Sequence, residues 1–165
     1  MKKLIIQIPA YNEAETLPEV LDDLPRQLEG IESIQVIVID DGSTDNTAQV
    51  ALEHGADFVL RHRNNLGLSK SFISGIQLAL ALGADIIVNT DADHQYPGNE
   101  IERLIQPILV GNADVVIGDR QPQHNRNFSP WKRFLEKLGS AIARKVSDTD
   151  IPDAVSGFRA YSRYA

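Results

Sequence analysis

The run IQVIVID (34–40) is apolar without a break from Val36 to Ile39. A strand with one wet face alternates apolar and polar residues, so an unbroken run needs cover on both faces. ADIIVNTD (84–91) reads as another buried strand, and KLIIQIP (3–9), DFVLR (57–61) and ADVVIGDR (113–120) also read as strands. Helical patterns fall between them. EAETLPEVLDDLPRQL (13–28) carries Leu17, Val20, Leu21, Leu24 and Leu28 at helical spacing, and STDNTAQVALEHG (43–55) opens on good capping residues and stops at Gly55. LSKSFISGIQLALALG (68–83) and a segment over about 98–110 complete the set. Strands alternating with helices predict an α/β, Rossmann-like fold, a mostly parallel sheet with helices on both faces.

Open sheets of this kind bind ligands beyond the carboxyl ends of their strands. The polar clusters PAYNE, DDGSTD, DADHQ and GDR all fall at such ends, so four strand ends point at one crevice. The bulk numbers remove several alternatives. With 42% hydrophobic and 24% charged residues the 165-residue chain has a globular composition, and with no cysteine it can build neither a disulfide framework nor a thiolate zinc site. The stretch Ser71–Ala84 is free of formal charge but falls short of the ~20 apolar residues that span a bilayer. The opening MKKLIIQIPAYNE reads as a first strand, because Pro9, Asn12 and Glu13 interrupt any signal-peptide core. These features fit a cytoplasmic protein.

Net charge is −7, which argues against nucleic acid as a partner, yet the charge is uneven. Between Arg120 and Ser147 lie seven basic residues and a single acid, Glu136, giving +6 there and −13 elsewhere. Such asymmetry suggests an anionic partner at one face.

Three clusters carry chemistry. In NTDADHQYP (89–97), Asp91, Asp93 and Gln95 face one way if the chain stays extended. Two carboxylates and an amide oxygen suit Mg2+ or Mn2+, hard cations that keep waters and substrate phosphates in their shell. His94 would then point away, as a neighbour and not a ligand. The plainer alternative is an acidic turn before Pro97. In IDDGSTD (39–45), adjacent acids at the sheet edge suit hydrogen bonding to a base or ribose, although any tight strand-to-helix turn uses similar residues. In PAYNEAETL, Asn12 and Glu13 either serve a site or simply start the first helix.

Taken in order, IPAYNEAETL, VIVIDDGSTDNT, DADHQYP, GDR and DAVSGFR resemble the family 2 glycosyltransferases of GT-A fold, and within them the dolichyl- or polyprenyl-phosphate sugar synthases. The resemblance runs from Lys3 to about Ser162. It implies that residues 1–165 form a single catalytic domain and that the donor is a nucleoside-diphosphate sugar. Pro9, Tyr11, Glu13 and Asp40 would line the nucleoside pocket, with Asp41 adjacent. Asp91 and Ala92 would meet the nucleotide-sugar, and Asp91, Asp93 and Gln95 would hold the divalent cation on its diphosphate. Arg120 would lie near the phosphates and Asp153 near the reacting centre, both in catalytic roles. Ser156, Gly157 and Arg159 would shape the acceptor side, and Phe158 would sit in the core.

The implied reaction inverts the anomeric centre. A lipid phosphate acceptor is already anionic and needs orientation more than a base. A saccharide or protein hydroxyl needs a general base, for which Asp153 is the candidate. The segment 128–147 sets Trp131, Phe134, Leu135, Leu138, Ile142 and Val146 at helical spacing among basic residues. Such a helix either lies in a membrane interface, placing the protein at the cytoplasmic membrane face, or covers the sheet.

Two departures stand out. Lys70 occupies a position where the family typically has a small or hydroxyl residue, and the chain stops at AYSRYA, where family domains usually continue with further helix and strand. The expectation is therefore a domain truncated on its acceptor side. A saccharide or protein acceptor, and a nucleotide-diphosphate-binding fragment without turnover, stay open as alternatives. A nucleotidylyltransferase ranks last, since PAYNEAE lacks the Gly-rich loop with Arg or Lys that such an enzyme would show after its first strand. The sugar, and the choice between uracil and guanine, are not written in the sequence.

Overall fold

The computed structural model describes residues 2–118 and 156–165. Six strands form one sheet in the order β3-β2-β1-β4-β6-β5. The elements are β1 (Lys2–Ala10), α1 (Leu17–Asp23), β2 (Ile31–Asp40), α2 (Thr47–Glu53), β3 (Phe58–Arg61), α3 (Leu68–Ala81), β4 (Ile86–Asn89), α4 (Glu100–Leu109), β5 (Val115–Ile117) and β6 (Arg159–Ser162). β1 runs parallel to β2 and to β4, and β2 parallel to β3. β6 is antiparallel to both of its neighbours, β4 and β5.

Both faces are covered, as the unbroken apolar runs require. Leu4, Ile6 and Ile8 of β1 join Val36 and Val38 of β2 in the larger core, packed with Leu17, Val20 and Leu21 of α1 and Ile101, Leu104, Ile105 and Ile108 of α4. Alternate residues Ile5, Ile37, Ile39 and Ile87 face the other way, toward Ala79 and Ile76 of α3. The period-2 geometry of each strand thus feeds two cores at once.

Several elements differ from the sequence reading. The first helix is shorter than 13–28 because Leu24, preceding Pro25, is extended (φ −69°, ψ 138°) and ends it. The second begins at Thr47, not Ser43, because the side chains of Ser43, Thr44 and Asp45 are taken up by the loop. There Ser43 Oγ accepts from the Asn12 amide at 2.9 Å, and Asp45 Oδ1 accepts from Thr47 N at 3.0 Å. Residues 159–162, to which the sequence reading gave no element, form strand β6, inserted between β4 and β5 and antiparallel to both, so the sheet is mixed at that edge.

The chain builds β1, β2 and β3 outward in one direction and then places β4 on the other side of β1. The direction of winding therefore reverses between β1 and β4, the place where such sheets open a crevice. Among the described residues no helix is long and apolar enough to cross a membrane.

Candidate active site

Beyond the carboxyl ends of β1, β2 and β4 lies a cavity of about 330 Å3, lined among others by Pro9, Tyr11, Glu13, Asp41, Asp91, Ala92 and Asp93. The loop after β3 and the first turn of α3 add Asn65, Gly67, Leu68 and Ser71. A second cavity of about 490 Å3 adjoins it, with Asn89, Asp91, Ser156, Gly157 and Arg159 at its polar end. Leu68, Phe72 and Ile73 of α3 and Tyr161 of β6 give it an apolar wall. Asp91 lines both cavities.

The β1 end is held by its neighbours. Asn12 takes a left-handed conformation (φ 55°), which Asn tolerates better than most residues. Its side-chain oxygen accepts from Thr44 N at 2.8 Å, and Glu13 N donates to Thr47 Oγ1 at 2.9 Å. Glu13 accepts from Thr16 Oγ1 at 2.6 Å. Glu13 lines the cavity, and its carbonyl accepts from the amides of Thr16 and Leu17 at the start of α1.

The two acids of IDDGSTD have parted roles. Asp40 is fully buried and absent from the cavity lining. Its carboxylate accepts from Ser43 N at 2.9 Å and lies 3.0 Å from Arg61 Nε, so it holds the turn beneath the site. The sequence reading put Asp40 at the pocket wall and left Asp41 beside it; here the wall residue is Asp41.

Asp41 Oδ1 lies 2.7 Å from His62 Nδ1 and accepts from Leu66 N at 2.9 Å, while Oδ2 accepts from Gly67 N at 2.8 Å. An ionised carboxylate only accepts, so Nδ1 of His62 carries the proton. Nε2 then meets Ser74 Oγ at 3.1 Å. Burial is the largest single influence on the Asp41 carboxyl and raises its pKa, but the hydrogen bonds from His62, Leu66, Gly67 and Ser71 together outweigh it and hold the pKa below its ordinary value. Asp45 is lowered in the same way, burial being outweighed by bonds from Thr47 and Ala14. Asp41 is therefore the anchor of the 65–67 loop, a role that the sequence reading did not assign to it.

β4 ends at Asn89, and residues 92–94 form a turn, with His94 left-handed (φ 54°). The premise of an extended row from Asp91 to Gln95 does not hold, although the turn still delivers both Asp91 and Asp93 to the first cavity. Gln95 lies outside that lining, and its side-chain Nε2 donates to Asp93. Through that bond it braces Asp93. His94 turns away as expected, 3.4 Å from Glu19 and 3.6 Å from Asp23 of α1.

Among the described residues no three His, Cys, Asp or Glu side chains form a metal cage. Two carboxylates at the mouth of a crevice are what Mg2+ or Mn2+ needs when phosphates and waters complete the shell, so the donor set fits a cation that arrives with its substrate.

On the acceptor side Ser156 is fully buried. Its Oγ accepts from Phe158 N at 3.2 Å and its carbonyl from Arg159 Nε at 2.7 Å. A Cβ on Gly157 would overlap the Asp91 carboxylate, so only glycine allows this approach. Phe158 is in the core as expected, stacked on Tyr96 at 4.9 Å. Lys70 is exposed and lines neither cavity, so its bulk does not fill the crevice. Arg120, Asp153 and the basic stretch 128–147 lie outside the described residues.

Residues 5–165 match the glycosyl transferase family 2 profile. The chain belongs to this family. It is 32% identical to a UDP-N-acetylglucosamine–dolichyl-phosphate N-acetylglucosaminyltransferase of Methanococcus voltae, across 99% of this chain and 71% of that protein. It is also 32% identical to polyprenol monophosphomannose synthase of Mycolicibacterium smegmatis, across 98% of this chain and 62% of that one. The fold is GT-A. Glucosyl-3-phosphoglycerate synthase from Mycobacterium tuberculosis, solved with Mn2+, UDP-glucose and phosphoglyceric acid, superposes with a TM-score of 0.74 at 24% identity, over 99% of this chain and 57% of that one. The family 2 chain thus spans 57% to 71% of the length of these three proteins.

Proposed function

We propose that this chain is the catalytic domain of an inverting, divalent-metal-dependent hexosyltransferase that moves a sugar from a nucleoside diphosphate to a polyprenyl-phosphate-type lipid. The observation that carries the reading is the position of Asp91, shared between two adjoining cavities of different character. The more polar of the two suits a nucleotide-sugar. The other combines a charged end with an apolar wall of Leu68, Phe72, Ile73 and Tyr161, which suits a phosphate carrying a hydrocarbon chain. The methanogen and mycobacterial relatives, named as a dolichyl-phosphate and a polyprenol enzyme, support the same acceptor class.

In this reading Pro9, Tyr11 and Glu13 seat the nucleoside, and Asp41 keeps the 65–67 loop in place as the opposite wall. Asp91 and Asp93 hold Mg2+ or Mn2+ against the diphosphate. The cation, when bound, neutralises the charge that builds on the leaving diphosphate. Arg159, with Ser156 and Gly157, orients the acceptor. Its phosphate oxygen attacks the anomeric carbon from the face opposite the leaving group. One carbon–oxygen bond forms as the bond to the nucleoside diphosphate breaks, with inversion. The acceptor is already ionised, so orientation replaces a general base. Arg120 would add positive charge at the diphosphate and Asp153 would stand by the reacting centre. The basic stretch 128–147 would bring the protein to the cytoplasmic face of a membrane.

The test is transfer of labelled sugar from UDP- and GDP-sugars to a short polyprenyl phosphate in detergent, with a free saccharide as the competing acceptor. Label in the lipid phase that requires Mn2+ is the expected result. Label only in the saccharide would refute the lipid acceptor and favour the hydroxyl alternative.

A further inference from the structure

Gln7 interrupts the apolar residues 4–8 of β1 and is fully buried. Its Nε2 donates to Asn89 Oδ1 at 2.9 Å, and Asn89 Nδ2 donates to the carbonyl of Gly157 at 2.7 Å. A carbonyl can only accept, so Asn89 must turn its NH2 to Gly157 and its oxygen to Gln7. Gln7 must then turn its own NH2 to Asn89. Both amide orientations are thereby fixed from one end. The relay joins β1, β4 and the segment leading into β6, residues far apart in the sequence.

The relay is a poor stabilising device. Gln7 Oε1 is buried with no hydrogen-bond partner, and Gly75 of α3 presses so near that a Cβ there would overlap it. An orphaned buried acceptor costs free energy, whereas a pair of aliphatic side chains between two strands would cost none. What the relay achieves is placement. It sets the Gly157 carbonyl, and the Cα of Gly157 is a surface against which the Asp91 carboxylate rests.

We infer that Gln7 and Asn89 are positioning residues that fix Gly157, and through it the Asp91 carboxylate, at the junction of the two cavities. The inference rests on Asp91 as a holder of the divalent cation.

The test compares Gln7→Leu, Asn89→Leu and the double variant with wild type. Three readouts are taken: Tm, the amide resonances of Gly157 and Phe158 in metal-free protein, and Mn2+ affinity titrated in the presence of UDP and, separately, GDP. Each single variant strands a buried amide partner and melts lower; the double removes both amides, leaves only the part-buried Gly157 carbonyl without its donor, and recovers much of the lost Tm. Despite that recovered stability, the double variant shows displaced Gly157 and Phe158 resonances and Mn2+ affinity about 10–100-fold weaker, the usual loss when a ligand's support is removed. A purely structural role would instead restore affinity together with Tm. Wild-type affinity and unmoved resonances in the folded double variant overturn the relay. Should that variant not fold, Asn89→Asp keeps the volume while setting an oxygen against the Gly157 carbonyl, and the same two outcomes decide. A wild-type chain that binds no Mn2+ with either nucleotide overturns the donor-site reading itself, and the relay with it.

Discussion

Replacing Asp41 by alanine removes the acceptor of three donors at once, the His62 ring N–H and the backbone amides of Leu66 and Gly67, of which Gly67 N keeps a second acceptor in Asn65 Oδ1 at 3.1 Å. Asp41 is only 4% exposed, so water reaches these donors poorly. Hydrogen bonds to a charged group contribute about 1.5–3 kcal/mol each, so simple addition gives an upper range of about 4.5–9 kcal/mol. The 65–67 loop lies at the surface and relaxes once released, which lowers the figure toward the ~3–5 kcal/mol seen when one partner of a buried charged pair is removed. For a chain of this size each kcal/mol shifts Tm by about 2–4 °C, so Asp41→Ala melts lower by about 6–20 °C. Hydrogen exchange locates the effect, because the Leu66 and Gly67 amides lose protection while those of β1 keep it. Nucleotide binding falls as well, since the released loop is a cavity wall. A Tm within about 2 °C of wild type, with Leu66 and Gly67 still protected, would refute the anchoring role.

The lowered carboxyls of Asp41 and Asp45 make acid stability a further check. The folded chain binds these two protons less readily than the unfolded chain, so their contribution is complete above the ordinary value of 3.8 and is lost as pH falls through the folded-state values below it. Tm measured from neutral pH down to strong acid falls most steeply in that lower window, and Asp41→Asn shows a shallower acid limb; identical limbs would contradict the assignment. Phe158→Ala removes a buried ring stacked on Tyr96 at 4.9 Å and costs about 3–5 kcal/mol, read as a lower denaturation midpoint. An unchanged midpoint would mean that residues 156–158 are not fastened to the core by that ring.

Much of this architecture is legible in the chain because burial on two faces leaves a local signature. Val36–Ile39 and Leu4–Ile8 announce covered strands, and the polar clusters after them announce the crevice. What escaped depends on partners distant in sequence. Asp40 and Asp41 are adjacent and chemically identical, and only the packing of Arg61 and His62 behind them decides which faces the cavity. Gln7 is a lone polar residue in an apolar run, and its meaning appears only when Asn89 and Gly157 are brought beside it. β6 is four residues long and mixed in polarity, so pairing between β4 and β5 makes it a strand where periodicity alone does not. The turn at 92–94 likewise arises from the tertiary setting, with His94 held against α1.

The donor site is the centre of this account, and calorimetric titration tests it most directly. UDP and GDP are each titrated with Mn2+ and with EDTA into wild type and into Asp91→Ala/Asp93→Ala. The expected result is that one nucleotide binds, only with the metal present and only with both carboxylates in place. Binding that persists in EDTA or in the double variant, or a folded wild type that binds neither nucleotide, would contradict the account.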